Sequence, residues 1–299
     1  MTTAVRVGSR RGRFLPLLYL LPTAVVLVPL FGYPLYQLGL ISVFDYRQPQ
    51  VSGGQPAEFV GADNYTTLLS DPQFWNVLST TVWFAAACVL ATLAVGAALA
   101  VLLTRVGRIP RLCLSLAAMA AWAAPAMTGS TVWLFLFDTD LGLVNQTLGI
   151  GGHNWLYDRY SAFALVGATV VWHSFPFVMV SLYAGIKAVP DSVLEASRID
   201  GATVWQQFWK VVVPILRPII TIVVIQSVIW DFKIFTQIYV MTGGGIAGQN
   251  LVLNVYAYQK AFGSSEYGLG SAIGVVMTLI LLVVTLFYVR AIRRQGEEL

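Results

Sequence analysis

The stretch LEASRIDGATVWQQFWKVVVPILRP, Leu194–Pro218, is charged and glycine-punctuated inside a chain otherwise built of apolar runs. Just before it, Ser192 with Glu195 has the S-x-x-E spacing of a capping box, which predicts a helix start. Asp200-Gly201 favours a turn and ends that helix. A second short helix is expected from Ala202 to Val213, stopping at Pro214. Its bulky residues Trp205, Phe208, Trp209 and Val212 fall at i, i+3, i+4 and i+7, one helical face, with Gln206, Gln207 and Lys210 opposite. The stretch therefore reads as a helix–turn–helix elbow with one aromatic face.

Composition says what surrounds that elbow. Of 299 residues, 57% are hydrophobic and 11% charged, with a mean hydropathy of +0.73. Soluble domains carry about 25% charged residues, so the chain is a polytopic membrane protein. A spanning helix needs roughly 20 largely apolar residues. Six such spans are expected, over 14–44, 73–104, 112–136, 161–187, 217–241 and 269–290. They form one transmembrane unit, 1–299, with an arm over 1–13 and the elbow over 188–216. Pro16, Pro22, Pro29 and Pro34 predict kinks in the first span. That span is too long for the apolar core of a signal peptide and lacks a small-x-small cleavage site.

Fourteen of the eighteen basic residues fall on one side of these spans: Arg6, Arg10, Arg11, Arg13, Arg105, Arg108, Arg111, Lys187, Arg198, Lys210, Arg217, Arg290, Arg293 and Arg294. The positive-inside rule then places both termini and the elbow in the cytoplasm. The same placement explains the net charge of +4 without any nucleic-acid partner. Cys88 and Cys113 lie in or beside apolar segments and, with His153 and His173, match no metal-ligand spacing.

By residue chemistry alone the elbow has two readings. It is an amphipathic helix in the lipid interface, or a plug whose apolar face fills a groove on a cytoplasmic partner. The wider pattern separates them. Glu195, Ala196, Asp200, Gly201, Ala202 and Pro214 match the EAA loop, and the chain resembles the permease subunits of binding-protein-dependent ABC importers. Ser197 stands where that pattern has alanine, and Val213 where it has leucine. GADNYTTLLSDPQFWNVLSTTVWF (Gly61–Phe84) and FKIFTQIYVMTGGG (Phe232–Gly245) are similar to the maltose-permease branch, although Gly245 and Ile246 follow where proline is usual. The resemblance implies a type I importer transmembrane fold. It also implies a second permease subunit, a cytoplasmic ATPase dimer holding ATP and Mg, and an external substrate-binding protein. The location implied is a bacterial or archaeal inner membrane. Glu195, Ala196, Ser197, Asp200, Gly201, Ala202, Trp205, Phe208 and Trp209 are then the ATPase-coupling residues, and this chain binds no cofactor.

The fifth span carries Asp231 and Lys233 among Gln226, Ser227 and Gln237. A charge at mid-helix costs about 2.5–3.5 kcal/mol on insertion scales, so these residues should face a wet cavity rather than lipid. Ser227, Asp231 and Ile234 share one face, and Trp230 adds an aromatic platform. The fourth span adds VWHSFPFVMVS (Val171–Ser181), with Pro176 able to bend it. The resemblance places sugar contacts at His173, Ser174, Phe177, Ser227, Asp231, Ile234 and Thr236. Polar groups beside an aromatic face suit a sugar. Plainer readings stand beside these: Asp231 paired with Lys233 or with another subunit's cation, Lys233 snorkelling, His173 and Phe177 simply packed.

Two other function classes fit the sequence less well. An ion-coupled secondary transporter would use Asp231 and Lys233, but it leaves the elbow unexplained and no internal repeat is evident. An intramembrane enzyme lacks HExxH, GxSxG or clustered carboxylates. No G-x-x-x-x-G-K-[ST] phosphate loop occurs, so an ATPase must be a separate chain.

Overall fold

The computed structural model describes residues 15–296, with side chains from 19 to 290 except Ala247. The arginine-rich arm, 1–13, lies outside the described residues. The chain order is α1 (Leu15–Leu27), α2 (Tyr33–Ile41), β1 (Phe44–Asp45), α3 (Gln48–Val51), β2 (Glu58–Phe59), α4 (Asp63–Ser70) and α5 (Pro72–Arg105). There follow α6 (Arg108–Ala123), α7 (Ala126–Leu136), α8 (Leu143–Leu148), α9 (Arg159–Ala188), α10 (Asp191–Ile199) and α11 (Val204–Gln207). The remainder is α12 (Val213–Phe232), α13 (Thr236–Thr242), α14 (Leu253–Tyr258) and α15 (Tyr267–Gly296).

Two compact units emerge. The first comprises residues up to Leu68 with Lys260–Val275. A π-helical stretch, Val28–Gly32, joins α1 to α2 where Pro29 falls, the local distortion expected of that proline. After α2 the chain forms a short antiparallel hairpin, Phe44 opposite Phe59. Asn64 donates to the carbonyls of Ser42 (2.9 Å) and Phe44 (3.0 Å). Arg47 contacts Asp45 at 2.8 Å, and its guanidinium is pushed further up by that hydrogen bond and charge. None of the most apolar window within Tyr19–Ile41 is buried.

The second unit, Leu69–Gln259 with Val276 onward, packs α5, α6, α9 and α12 around Ala100, Leu103, Ala118, Met179, Val212, Leu216 and Val223. Lipid supplies no hydrophobic drive between helices, so close backbone approach must hold them. Gly96 provides it: a Cβ there would lie 2.6 Å from Val178, which lets α5 and α9 touch. The same faces are tied at one end by polar bonds. Arg159 donates to Thr80 (2.8 Å), the Leu253 amide to Thr81 (2.9 Å), and Tyr256 to Asp71 (3.0 Å).

Four expectations need correction. The third apolar stretch, 112–136, is two helices, α6 and α7, meeting at 106°, so six spans result only when that pair is one. Pro125 forces extended backbone on Ala124, which breaks the run. The fifth stretch, 217–241, is interrupted at Lys233–Phe235. Pro190, not Ser192, precedes the first turn of α10, which has no side-chain cap; the box forms instead between Thr203 and Gln206. Pro214 does not stop the second elbow helix. It falls in the first turn of α12, where its missing N–H costs little, after a π-helical turn over Phe208–Val212. Pro176 lies inside the unbroken α9.

Candidate functional site

Backbone geometry makes the elbow. α10 closes with the Gly201 amide donating to Arg198 and the Ala202 amide to Ser197, both at 3.0 Å, while Gly201 takes φ +80°. These are the two bonds of a Schellman cap. Gln207 is buried and locks α11 back onto α10: its amide donates to the Leu194 carbonyl and the Ser197 hydroxyl, each at 2.7 Å. The aromatic spacing alone puts Gln207 on the opposite, outer face, and the family pattern has alanine where Ser197 stands. Their ten-residue spacing across the turn was the available signal. Glu195, Ala196 and Asp200 are exposed, with the apolar Ile199 (86%) among them.

The aromatic face points elsewhere. Trp205, Phe208 and Trp209 line an apolar groove of about 640 Å³ with Leu93, Ala97 and Val101 of α5 and Leu182 and Ile186 of α9. Trp209 is the hub of the three, 5.6 Å from Trp205 and 5.3 Å from Phe208 between ring centroids.

A second cavity, about 320 Å³, opens where the fifth span breaks. Asp231, Lys233, Ile234, Thr236 and Gln237 line it from that break, and His173 and Ser174 from α9. Trp122 and Trp230 supply aromatic walls. Five of the seven expected contacts thus meet in one place. Phe177 does not line the cavity but backs both walls, its ring 6.5 Å from Trp122 (stacked) and 5.1 Å from Trp230. Ser227 is buried but is not among the lining residues. Trp122, Val170 and Phe235 were missed; nothing in the local sequence brings α6 to this break.

The break is chemically informative. Irregular backbone at membrane depth is tolerated where it is buried in protein or lines a water-filled cavity. Here the Asn254 amide caps the Lys233 carbonyl, and the Ile234 amide turns back to Asp231. Two buried polar atoms remain without a partner, Oδ2 of Asp231 and Nδ1 of His173. Asp231 is 4% exposed and, among the described residues, no ion pair includes it. Of the plainer readings, the Asp231–Lys233 pair is therefore not formed. A ligand or water offering hydrogen bonds would satisfy both atoms.

The model of the family described as "Binding-protein-dependent transport system inner membrane component" matches residues 94–296. The chain belongs to that family. It is similar to the diacetylchitobiose uptake system permease protein DasB of Streptomyces coelicolor, 38% identical over 99% of this chain and 92% of the relative. It is 32% identical to the sulfoquinovosyl glycerol transport system permease protein SmoG of Agrobacterium fabrum, over 94% of this chain and 91% of that one. A crystal structure of a bacterial ABC transporter that imports the acidic polysaccharide alginate shares the fold, with a TM-score of 0.79 over 95% of this chain and 96% of that one at 19% identity. The chain is accordingly a multi-pass inner-membrane permease subunit of an ABC importer with the type I transmembrane fold. It is a transport component; ATP hydrolysis resides on a separate subunit, and the ion-coupled alternative is set aside. The family match covers α10–α12 and the broken span, the two regions built above.

Proposed function

We propose that this permease carries a sugar or sugar-like solute through the cavity at the break of the fifth span. The observation that carries the reading is that break, where irregular backbone, two unsatisfied buried polar groups and two indole walls converge inside an apolar stretch. His173, Ser174, Asp231, Ile234 and Thr236 meet the solute; Phe177 holds the aromatic walls, and Ser227 lies deeper along the same helix. Relatives named for diacetylchitobiose and sulfoquinovosyl glycerol support the sugar class.

The whole chain, 1–299, works as one permease domain beside a second permease subunit. The uncovered apolar helix over Tyr19–Ile41 is suited to lipid and to such a neighbour. Both termini and the elbow face the cytoplasm, following the arginine distribution. An external binding protein delivers the solute, a reading that the family's description supports. An ATPase dimer, loaded with ATP and Mg, receives the tip formed by Glu195, Ala196, Ser197, Asp200, Gly201 and Ala202. Its closure moves α10, Gln207 relays the movement to α11, and Trp205, Phe208 and Trp209 pass it to α5 and α9 along the groove they line. The cavity then alternates between the two sides of the membrane.

The test is uptake of a labelled disaccharide by vesicles containing this chain with its partner permease, ATPase and binding protein. Uptake should require ATP, and Glu195→Lys should strip the ATPase from the purified complex. Uptake by the chain alone under an ion gradient would overturn the proposal.

A further inference from the structure

The three proteins compared above leave the charge of the solute open, because their names include an N-acetylated sugar, a sulfonated one and an acidic polysaccharide. The cavity itself is not neutral on this point. Its most buried polar residue is Asp231, whose side chain forms no ion pair among the described residues and whose Oδ2 is unsatisfied. Across the cavity, His173 of α9 presents an equally unsatisfied Nδ1. Lys233, the remaining charged residue of the lining, is exposed and forms no ion pair with Asp231.

A buried carboxyl without a donor is costly, and the compensation it lacks is a cation or an N–H. At Asp231 an acidic solute offers the opposite: it must displace water from the carboxyl and hold like charge against it, or keep it protonated, and the water-exposed, screened Lys233 offsets little of that. We infer that the cavity selects by charge, with Asp231 and His173 favouring sugars that carry an amino or other nitrogen donor and disfavouring acidic sugars. This rests on the cavity being the sugar path. In that arrangement Trp122 and Trp230 hold the ring faces, the nitrogen donor meets Oδ2 of Asp231, and a neighbouring hydroxyl bonds Nδ1 of His173.

The experiment uses the complex with its partner permease and ATPase in nanodiscs, without the external binding protein, so that the permease alone discriminates. Equilibrium dialysis at neutral pH compares chitobiose (cationic), diacetylchitobiose and cellobiose (neutral) and cellobiouronic acid (acidic). The expected order is cationic, then N-acetylated, then cellobiose, then acidic, with at least about tenfold between the extremes, since opposing charge against a buried carboxyl costs over about one decade in affinity. Asp231→Asn should compress that spread to about threefold or less, whatever its effect on the affinity for cellobiose itself. An acidic probe that binds wild type as tightly as chitobiose, or a spread that survives Asp231→Asn, overturns the inference. The wild-type order decides alone if that variant does not assemble. The underlying reading fails differently: Trp230→Ala would leave binding of every probe unchanged.

Discussion

Around Gly201 each backbone bond has a local owner, and around Lys233 the chain leaves the helix with no local instruction to do so. The elbow is closed by the Schellman bonds of Gly201 and Ala202, reopened by the Thr203–Gln206 box, and pinned by Gln207. Between Gln226 and Thr242 there is no glycine or proline, yet α12 ends at Phe232 and α13 begins at Thr236. What holds that gap is tertiary: Asn254 bonds the Lys233 carbonyl, and the cavity beside it is completed by His173 and Trp122 from two other helices. A rigid local motif suits a part that must transmit force unchanged. A gap held by distant contacts suits a part that must change shape as solute comes and goes. If so, damage to the elbow should uncouple without altering solute affinity, and damage to the cavity should do the reverse.

The largest effect should come from Gly201→Val. Nothing lies within 4 Å of a Cβ placed there, so the variant is damaged only through φ +80°, which a β-branched residue resists by about 1–3 kcal/mol. Copurification of the ATPase should fall by about tenfold while solute binding stays within about twofold of wild type. Gly201→Asn, which tolerates the left-handed region, should recover most of the loss. Equal loss of solute binding in Gly201→Val would erase the distinction between the two regions.

The elbow was legible for the same reason that it is rigid. Asp200-Gly201 and the aromatic spacing are short-range signals, and the structure moved only the capping box and the role of Pro214. Four of the six spans were readable to within a few residues, because hydropathy is a sum over many side chains. The breaks were harder. Pro125 stands at the corner between α6 and α7, but the apolar residues on both sides hide the break in the hydropathy pattern. The Lys233–Phe235 gap had only its charges as a warning. His173, Ser174, Asp231, Ile234 and Thr236 were placed together because the resemblance and the polar stripe agreed. Trp122 could not be reached that way, since it enters from a helix whose direction depends on the Pro125 corner.

An intermediate effect is expected at the cavity from Phe177→Ala. Phe177 touches both indole walls without lining the cavity itself, and an aromatic contact contributes about 0.5–1.5 kcal/mol beyond the area it buries. Losing both should weaken binding of a sugar such as cellobiose by about three- to tenfold, read by equilibrium dialysis. ATPase copurification should not move. If it did, the cavity and the elbow would be one cooperative body and the contrast between them would dissolve.

The smallest effect, and the sharpest for the comparison, concerns Trp205→Ala combined with Trp209→Ala. Both indoles are among the most exposed aromatic residues on the elbow, which argues for a docking surface. Both also line the groove against α5 and α9, which argues for a lever arm acting on the membrane helices. The two roles predict different losses. A docking pair would cost assembly, because large aromatic anchors dominate interfaces. A lever would leave assembly intact and weaken the link between nucleotide and solute. The groove favours the lever: Trp205, Phe208 and Trp209 line it together with residues of α5 and α9, while Ile199, at 86% exposure, lies outside it. ATPase copurification should therefore stay within about twofold, and solute-stimulated ATP hydrolysis should fall by about threefold, a coupling change of the size seen when residues between two sites are altered. A tenfold loss of copurification with the stimulation ratio preserved would move the docking surface onto the indoles and leave the groove without a part in transmission.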